Sequence, residues 1–91
     1  MARIVWLDEA VEQLDRIVAY VRVFDSRAAD RLAARLVAAA ESLRDFPNRG
    51  RPAEGGKREL PTVPPYIIRY RVEGEIVLIM RIRHGAQRPE A

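Results

Sequence analysis

Apolar residues along this 91-residue chain change their spacing partway through. Ala10, Val11, Leu14, Ile17, Val18 and Val21 recur every three or four positions, while Glu12, Asp15, Arg16 and Arg22 fall between them. That period places the apolar set on one side of an α-helix, so a first amphipathic helix is expected here. A second stripe, Ala29, Leu32, Ala33, Leu36, Val37, Ala40 and Leu43, runs up to Phe46-Pro47. Asp25-Ser26 ahead of it offers side-chain oxygens able to cap a new helix. Small alanine side chains let two helices approach closely, which predicts a helical hairpin turning around Phe24 to Ser26. Before the first helix, Ala2 to Trp6 is a short apolar run ended by Asp8-Glu9, the pattern of a brief strand leading into an acidic first helical turn.

Beyond Pro47 the helical period stops. Pro47 to Gly56 is an aperiodic mixture of Pro, Gly, Asn and Arg, read as an exposed loop. Three strands are expected after it, Lys57 to Leu60, Tyr66 to Val72 and Ile76 to Arg83, separated by Pro61 to Pro65 and by Glu73-Gly74-Glu75. The predicted order is β-α-α-β-β-β. This is an α+β fold in which an N-terminal helical hairpin packs on one face of a small, mainly antiparallel sheet. At this length one core is all the chain can bury, so residues 1–91 form a single domain.

Alternation suggests a register for the final hairpin. A three-residue loop, Glu73 to Glu75, pairs Val72 with Ile76 and Tyr70 with Leu78. One face then reads Tyr66, Ile68, Tyr70, Val72, Ile76, Leu78, Met80 and Ile82, and it is expected to pack on the helices. The other reads Ile67, Arg69, Arg71, Val77, Ile79, Arg81 and Arg83, arginines around an apolar strip. A solvated sheet face, with arginine stems lying over apolar neighbours, is one account of that pattern. A surface covered by a partner segment is the other, since nothing in the chain remains to cover Val77 and Ile79.

Charge sharpens this picture. Residues 1–46 carry seven Arg against eight Asp and Glu, whereas residues 47–91 carry nine Arg and Lys against five Glu. An anionic partner should therefore meet the second half, at Lys57, Arg58, Arg69, Arg71, Arg81 and Arg83. Arg27, Arg31 and Arg35 form a second basic ridge, read as ordinary helix surface, and Trp6 is expected in core or edge packing. The chain has no cysteine and one histidine, which excludes disulfides and thiol chemistry and leaves no basis for a metal site or any other cofactor. With neither a signal-peptide pattern nor a membrane-length apolar run, a cytoplasmic location off the membrane is expected.

Several segments, taken in order, resemble the RelE/ParE toxins of bacterial type II toxin-antitoxin pairs. They are Leu43-Arg44-Asp45-Phe46-Pro47, Arg58-Glu59-Leu60, Tyr66-Ile67-Ile68-Arg69-Tyr70-Arg71-Val72 and Ile82-Arg83-His84-Gly85-Ala86-Gln87. The resemblance implies a heteromeric complex with a cognate antitoxin, whose acidic C-terminal segment orders on binding. It also implies one of two targets. RelE-like members cleave messenger RNA on the ribosome, and ParE-like members poison DNA gyrase without being known as catalysts.

RNA cleavage needs a base for the 2′-hydroxyl, cations for the phosphorane charge and an acid for the leaving oxygen. Arg69, Arg81, Arg83 and His84 are the candidates for that chemistry, with Glu59 and Glu54 the only nearby acids. RelE-like members resemble one another in placing an arginine after the tyrosine of the penultimate strand, where this chain has Ile67. They also end in a tyrosine or a basic cluster, where this chain has Gly85-Ala86-Gln87-Arg88-Pro89-Glu90-Ala91. The expectation is accordingly a ParE-like gyrase poison with a ParD-like antitoxin, Lys57, Arg58, Ile67, Arg69, Arg71, Val77, Ile79, Arg81 and Arg83 forming the binding surface. A ribosome-dependent endoribonuclease, or a degenerate member that keeps only antitoxin binding, are the alternatives.

Overall fold

The computed structural model of the protein describes residues 1–85. Strand β1 (Arg3–Trp6) leads into helix α1 (Asp8–Phe24) and helix α2 (Ser26–Glu41), which a single 3-10 turn, Ser42–Arg44, extends toward the loop. Strands β2 (Arg51–Pro52), β3 (Arg58–Val63), β4 (Tyr66–Glu73) and β5 (Ile76–His84) follow. The hairpin connection is tighter than the spacing suggests. Asp25 alone joins the helices in an extended conformation, and its Oδ1 accepts the Ala28 N–H at 3.0 Å, capping α2.

The five strands form one mixed sheet in the order β1-β5-β4-β3-β2. Only β1 runs parallel to its neighbour, pairing Ile4 with Val77 and Trp6 with Ile79. A parallel pair needs a long connection, and here it runs through the helical hairpin and then β2, β3 and β4 before returning as β5. Both helices lie on one face. Ala10, Leu36, Ala39, Ala40 and Leu43 pack there against Leu60, Val63, Ile68, Tyr70, Val77, Ile79 and Ile82, with Ile4, Trp6 and Tyr66 at the margin. Trp6 is thus edge packing, as expected. Among the described residues no helix is long and apolar enough to cross a membrane.

The register of the last hairpin differs from the alternating expectation. Glu73 pairs with Ile76 around Gly74-Glu75, so Val72 faces Val77 and Tyr70 faces Ile79. Gly74, at a φ of 59°, makes this shorter loop possible. Between the Tyr70–Ile79 and Arg69–Arg81 pairs, β5 holds one extra residue, Met80. This β-bulge reverses the inward and outward positions of the strand. Val77 and Ile79 point into the core before it and Ile82 after it, while Ile76 and Leu78 lie outward and half-buried. Uninterrupted alternation from Val77 would have driven Arg81 and Arg83 inward, so the bulge spares the core two buried cations.

The predicted loop also contains structure. Gly50 is buried, and Arg51–Pro52 pairs with Arg58 and Glu59 as the sheet's edge. Tyr70, fully buried, holds this loop from below: its hydroxyl donates to Pro47 O at 2.7 Å and accepts the Gly50 N–H at 2.8 Å. Burial raises the Tyr70 pKa, which keeps the hydroxyl protonated as a donor.

Candidate functional site

The sheet face away from the helices carries the basic cluster. Alternation and pairing place Glu59 of β3, Ile67, Arg69 and Arg71 of β4, and Arg81 and Arg83 of β5 together on it. At its β1 side the same face presents Arg3 and Val5 opposite Ile76 and Leu78. An apolar strip beside arginines therefore exists, but it is made of Val5, Ile76 and Leu78. Val77 and Ile79, expected on this surface, are each 0 % exposed in the core, because the hairpin register turns them inward.

Arg58 also departs from the expectation. It pairs with Tyr70, which puts it on the helix side, and its Nη1 donates to Gly50 O at 2.6 Å and Asn48 O at 3.3 Å. It braces the loop. Lys57 is half-buried in the turn before β3, where its N–H donates to Glu54 O. Ile67 is on the outer face as expected but only 8 % exposed. Arg27, Arg31 and Arg35 remain exposed helix surface.

Glu59 organises the centre of the face. Its side chain is buried, and Oε2 accepts from Arg69 Nε at 3.2 Å, Arg69 Nη2 at 2.8 Å and Arg83 Nη2 at 3.2 Å. Arg51 Nη2 stands 3.9 Å from Oε1, so the cluster ties β2, β3, β4 and β5 together. Burial by itself pushes the Glu59 carboxyl up. The hydrogen bonds and charges of Arg69 and Arg83 outweigh that effect and hold the pKa below the ordinary carboxylate value. A carboxyl depressed in the folded state contributes stability that is complete above its unfolded pKa, about 4.3, and is lost as pH falls through the folded value. The stability gap between wild type and Glu59→Gln is therefore expected to close as pH drops below about 4.3. Urea unfolding of both across that range checks it, and a constant gap would refute the pairing.

His84 lies elsewhere. It pairs with Tyr66, and their rings meet edge to face at 5.7 Å on the helix side of the sheet. There a cleft of about 450 Å³ opens between α1 and the end of β5, lined by Gln13, Arg16, Ile17 and Tyr20 together with Tyr66 and residues 81–84. At this edge β1 has already ended, and the Gln13 side chain takes its place by accepting the Ile82 N–H at 2.7 Å.

Of the four residues considered for RNA cleavage, strand pairing gathers Arg69, Arg81 and Arg83 on one face and puts His84 on the other, while Arg81, Arg83 and His84 together border the cleft beside α1. Glu54 sits in the 3-10 turn before β3, outside the cluster. No group of three or more His, Cys, Asp or Glu able to hold a metal occurs among the described residues. Residues 86–91, which include Ala86-Gln87 and the tyrosine-free tail, lie outside the described residues. Sequence inspection did not find the central role of Glu59. One signal was available, since Glu59 is the single acidic residue of the strand Lys57 to Leu60 and alternates with the apolar Leu60, and a carboxylate buried there requires a partner.

Comparison with known proteins agrees with this architecture. Residues 4–89 match the family described as the ParE toxin of the type II toxin-antitoxin system, parDE. Toxin RelE2 of Caulobacter vibrioides is 48% identical over 87 residues, covering 96% of this chain and 99% of the relative. A putative toxin, Y4kP, of Sinorhizobium fredii is 38% identical over 87 residues, covering 93% and 90% respectively. The solved chromosomal ParDE system from P. aeruginosa superposes with a TM-score of 0.83 at 28% identity, covering 92% of this chain and 96% of that one. With the helical hairpin, the mixed sheet and nearly the whole length in agreement, the chain belongs to the ParE toxin family of type II toxin-antitoxin systems.

Proposed function

We propose that the protein is a toxin that inhibits DNA gyrase and is neutralised by a ParD-like antitoxin through that partner's acidic C-terminal segment. The observation that carries the choice of target is the engagement of Arg69 and Arg83, two of the four ribonuclease candidates, by the buried carboxylate of Glu59. General acid catalysis needs the donor within hydrogen-bond reach of the leaving oxygen while the cations hold the phosphorane. His84 packs on Tyr66 on the helix side, and two of the three outer arginines already engage Glu59. What remains is a basic face with the apolar strip of Val5, Ile76 and Leu78 beside it. Such a face suits an acidic, amphipathic protein segment, which gains from both apolar burial and charge pairing.

Purified toxin titrated into gyrase with relaxed plasmid is expected to suppress supercoiling, and normal supercoiling at large molar excess would count against the proposal. The RelE name of the Caulobacter relative favours keeping messenger RNA as a second target. A parallel cell-free translation reaction separates the two, since only a ribonuclease leaves cut message.

A further inference from the structure

We infer that Glu59 determines the ligand class of the basic face by keeping nucleic acid off it. The inference rests on the protein-binding reading above. Arginines crowded on one sheet face would ordinarily draw a phosphate backbone, because each cation that meets a phosphate releases bound counterions. Here the two arginines nearest the centre, Arg69 and Arg83, direct three N–H donors at one carboxylate oxygen. A phosphate approaching those donors meets a negative charge already in its place. To bind, it would have to displace a buried carboxylate and leave that charge without its hydrogen bonds, a costly exchange.

A protein partner need not make this exchange. It can use the half-buried Val5, Ile76 and Leu78, together with Arg71 at the hairpin end, where the guanidinium holds Gly55 O at 2.7 Å and lies 3.9 Å from Glu73. Selectivity of this kind comes from a repulsive element set against the wrong ligand as much as from attraction to the right one. Glu59 is suited to that role by position, on β3 between β2 and β4 within reach of Arg51, Arg69 and Arg83, and by burial, which denies it the option of swinging into solvent.

The test is fluorescence anisotropy of a labelled single-stranded oligonucleotide with the full-length protein, its Glu59→Gln and Arg83→Gln variants and the double variant. Wild type is expected to bind weakly. Glu59→Gln should bind about ten-fold tighter, with a salt dependence steeper by up to about 1.4, roughly 0.7 for each of Arg69 and Arg83 that reaches a phosphate, their side chains being 17% and 9% exposed beside Glu59. Adding Arg83→Gln to Glu59→Gln should remove much of that gain. Unchanged binding by a Glu59→Gln variant that still melts cooperatively would overturn the inference and leave the gyrase proposal intact. Should Glu59→Gln not fold, the single variants decide: residual binding should weaken with Arg71→Gln and not with Arg83→Gln. Tight wild-type binding that is lost in Arg83→Gln would overturn the inference and the protein-binding reading together.

Discussion

Replacing Ile79 by alanine is expected to destabilise the protein by about 2–5 kcal/mol, while the same change at the adjacent Leu78 costs about 1 kcal/mol. Ile79 is 0 % exposed and packs in the main cluster with Tyr70, Val77 and Leu36, so truncation leaves a cavity enclosed by both helices and the sheet. Leu78 pairs with Arg71 on the outer face, is half-buried, and can lose its side chain without opening a void. In a domain of this size each kcal/mol moves the melting temperature by about 4–8 °C, so the two variants separate clearly in a thermal melt. The comparison also distinguishes the two hairpin registers. The three-residue loop would make Leu78 the core residue and reverse the order of the two costs.

Gly50→Ala is the second large effect. A Cβ at that position would lie 2.7 Å from both Cε1 and the hydroxyl oxygen of Tyr70 and 2.9 Å from Glu59 O. Tyr70 is fixed in the core and Glu59 O belongs to the sheet backbone, so neither yields cheaply. Overpacking of this kind costs about 1–3 kcal/mol. Shifting the loop to relieve it breaks the buried Gly50 N–H bond to the Tyr70 hydroxyl, which costs a further 1–3 kcal/mol or so if the donor stays buried and unpaired. Tyr70→Phe, which removes the hydroxyl without adding volume, should show the second cost together with that of the Pro47 carbonyl losing its donor. Chemical denaturation of the two variants checks both. A stable Gly50→Ala protein would mean that the loop is not held against Tyr70.

The helices were legible because their signal is local. Two stripes at a period of three to four residues, bounded by Asp8-Glu9, Asp25-Ser26 and Phe46-Pro47, suffice to place α1 and α2 within a few positions. The inward set of β4, Tyr66, Ile68, Tyr70 and Val72, was legible for the same reason. The face of β5 was not. With alternating Val77 and Ile79 on one side of the bulge and Ile82 on the other, no single period of two describes the strand, and a regular reading had to assign part of it to the wrong face. Short β2 was hidden because a two-residue edge strand among Pro, Gly and Arg has no pattern of its own and exists by pairing with β3.

The family resemblance and the basic second half came from sequence, and so did the idea of a surface combining arginine with apolar residues. Its composition required the structure: Val5 joins from the other end of the chain, Ile76 and Leu78 replace Val77 and Ile79, and Arg58 leaves for the loop. The sharing of Glu59 by Arg69 and Arg83 depends on β3, β4 and β5 lying side by side, as does the pairing of His84 with Tyr66. Sequence alone determined what the amphipathic period of each helix and the charge of each half can state, because those properties belong to neighbours along the chain. Tertiary structure alone decided which charges meet and which face water. Hydrogen-bond register and a one-residue bulge, set by how the whole sheet packs on the helices, assign every side chain of β5 to its side.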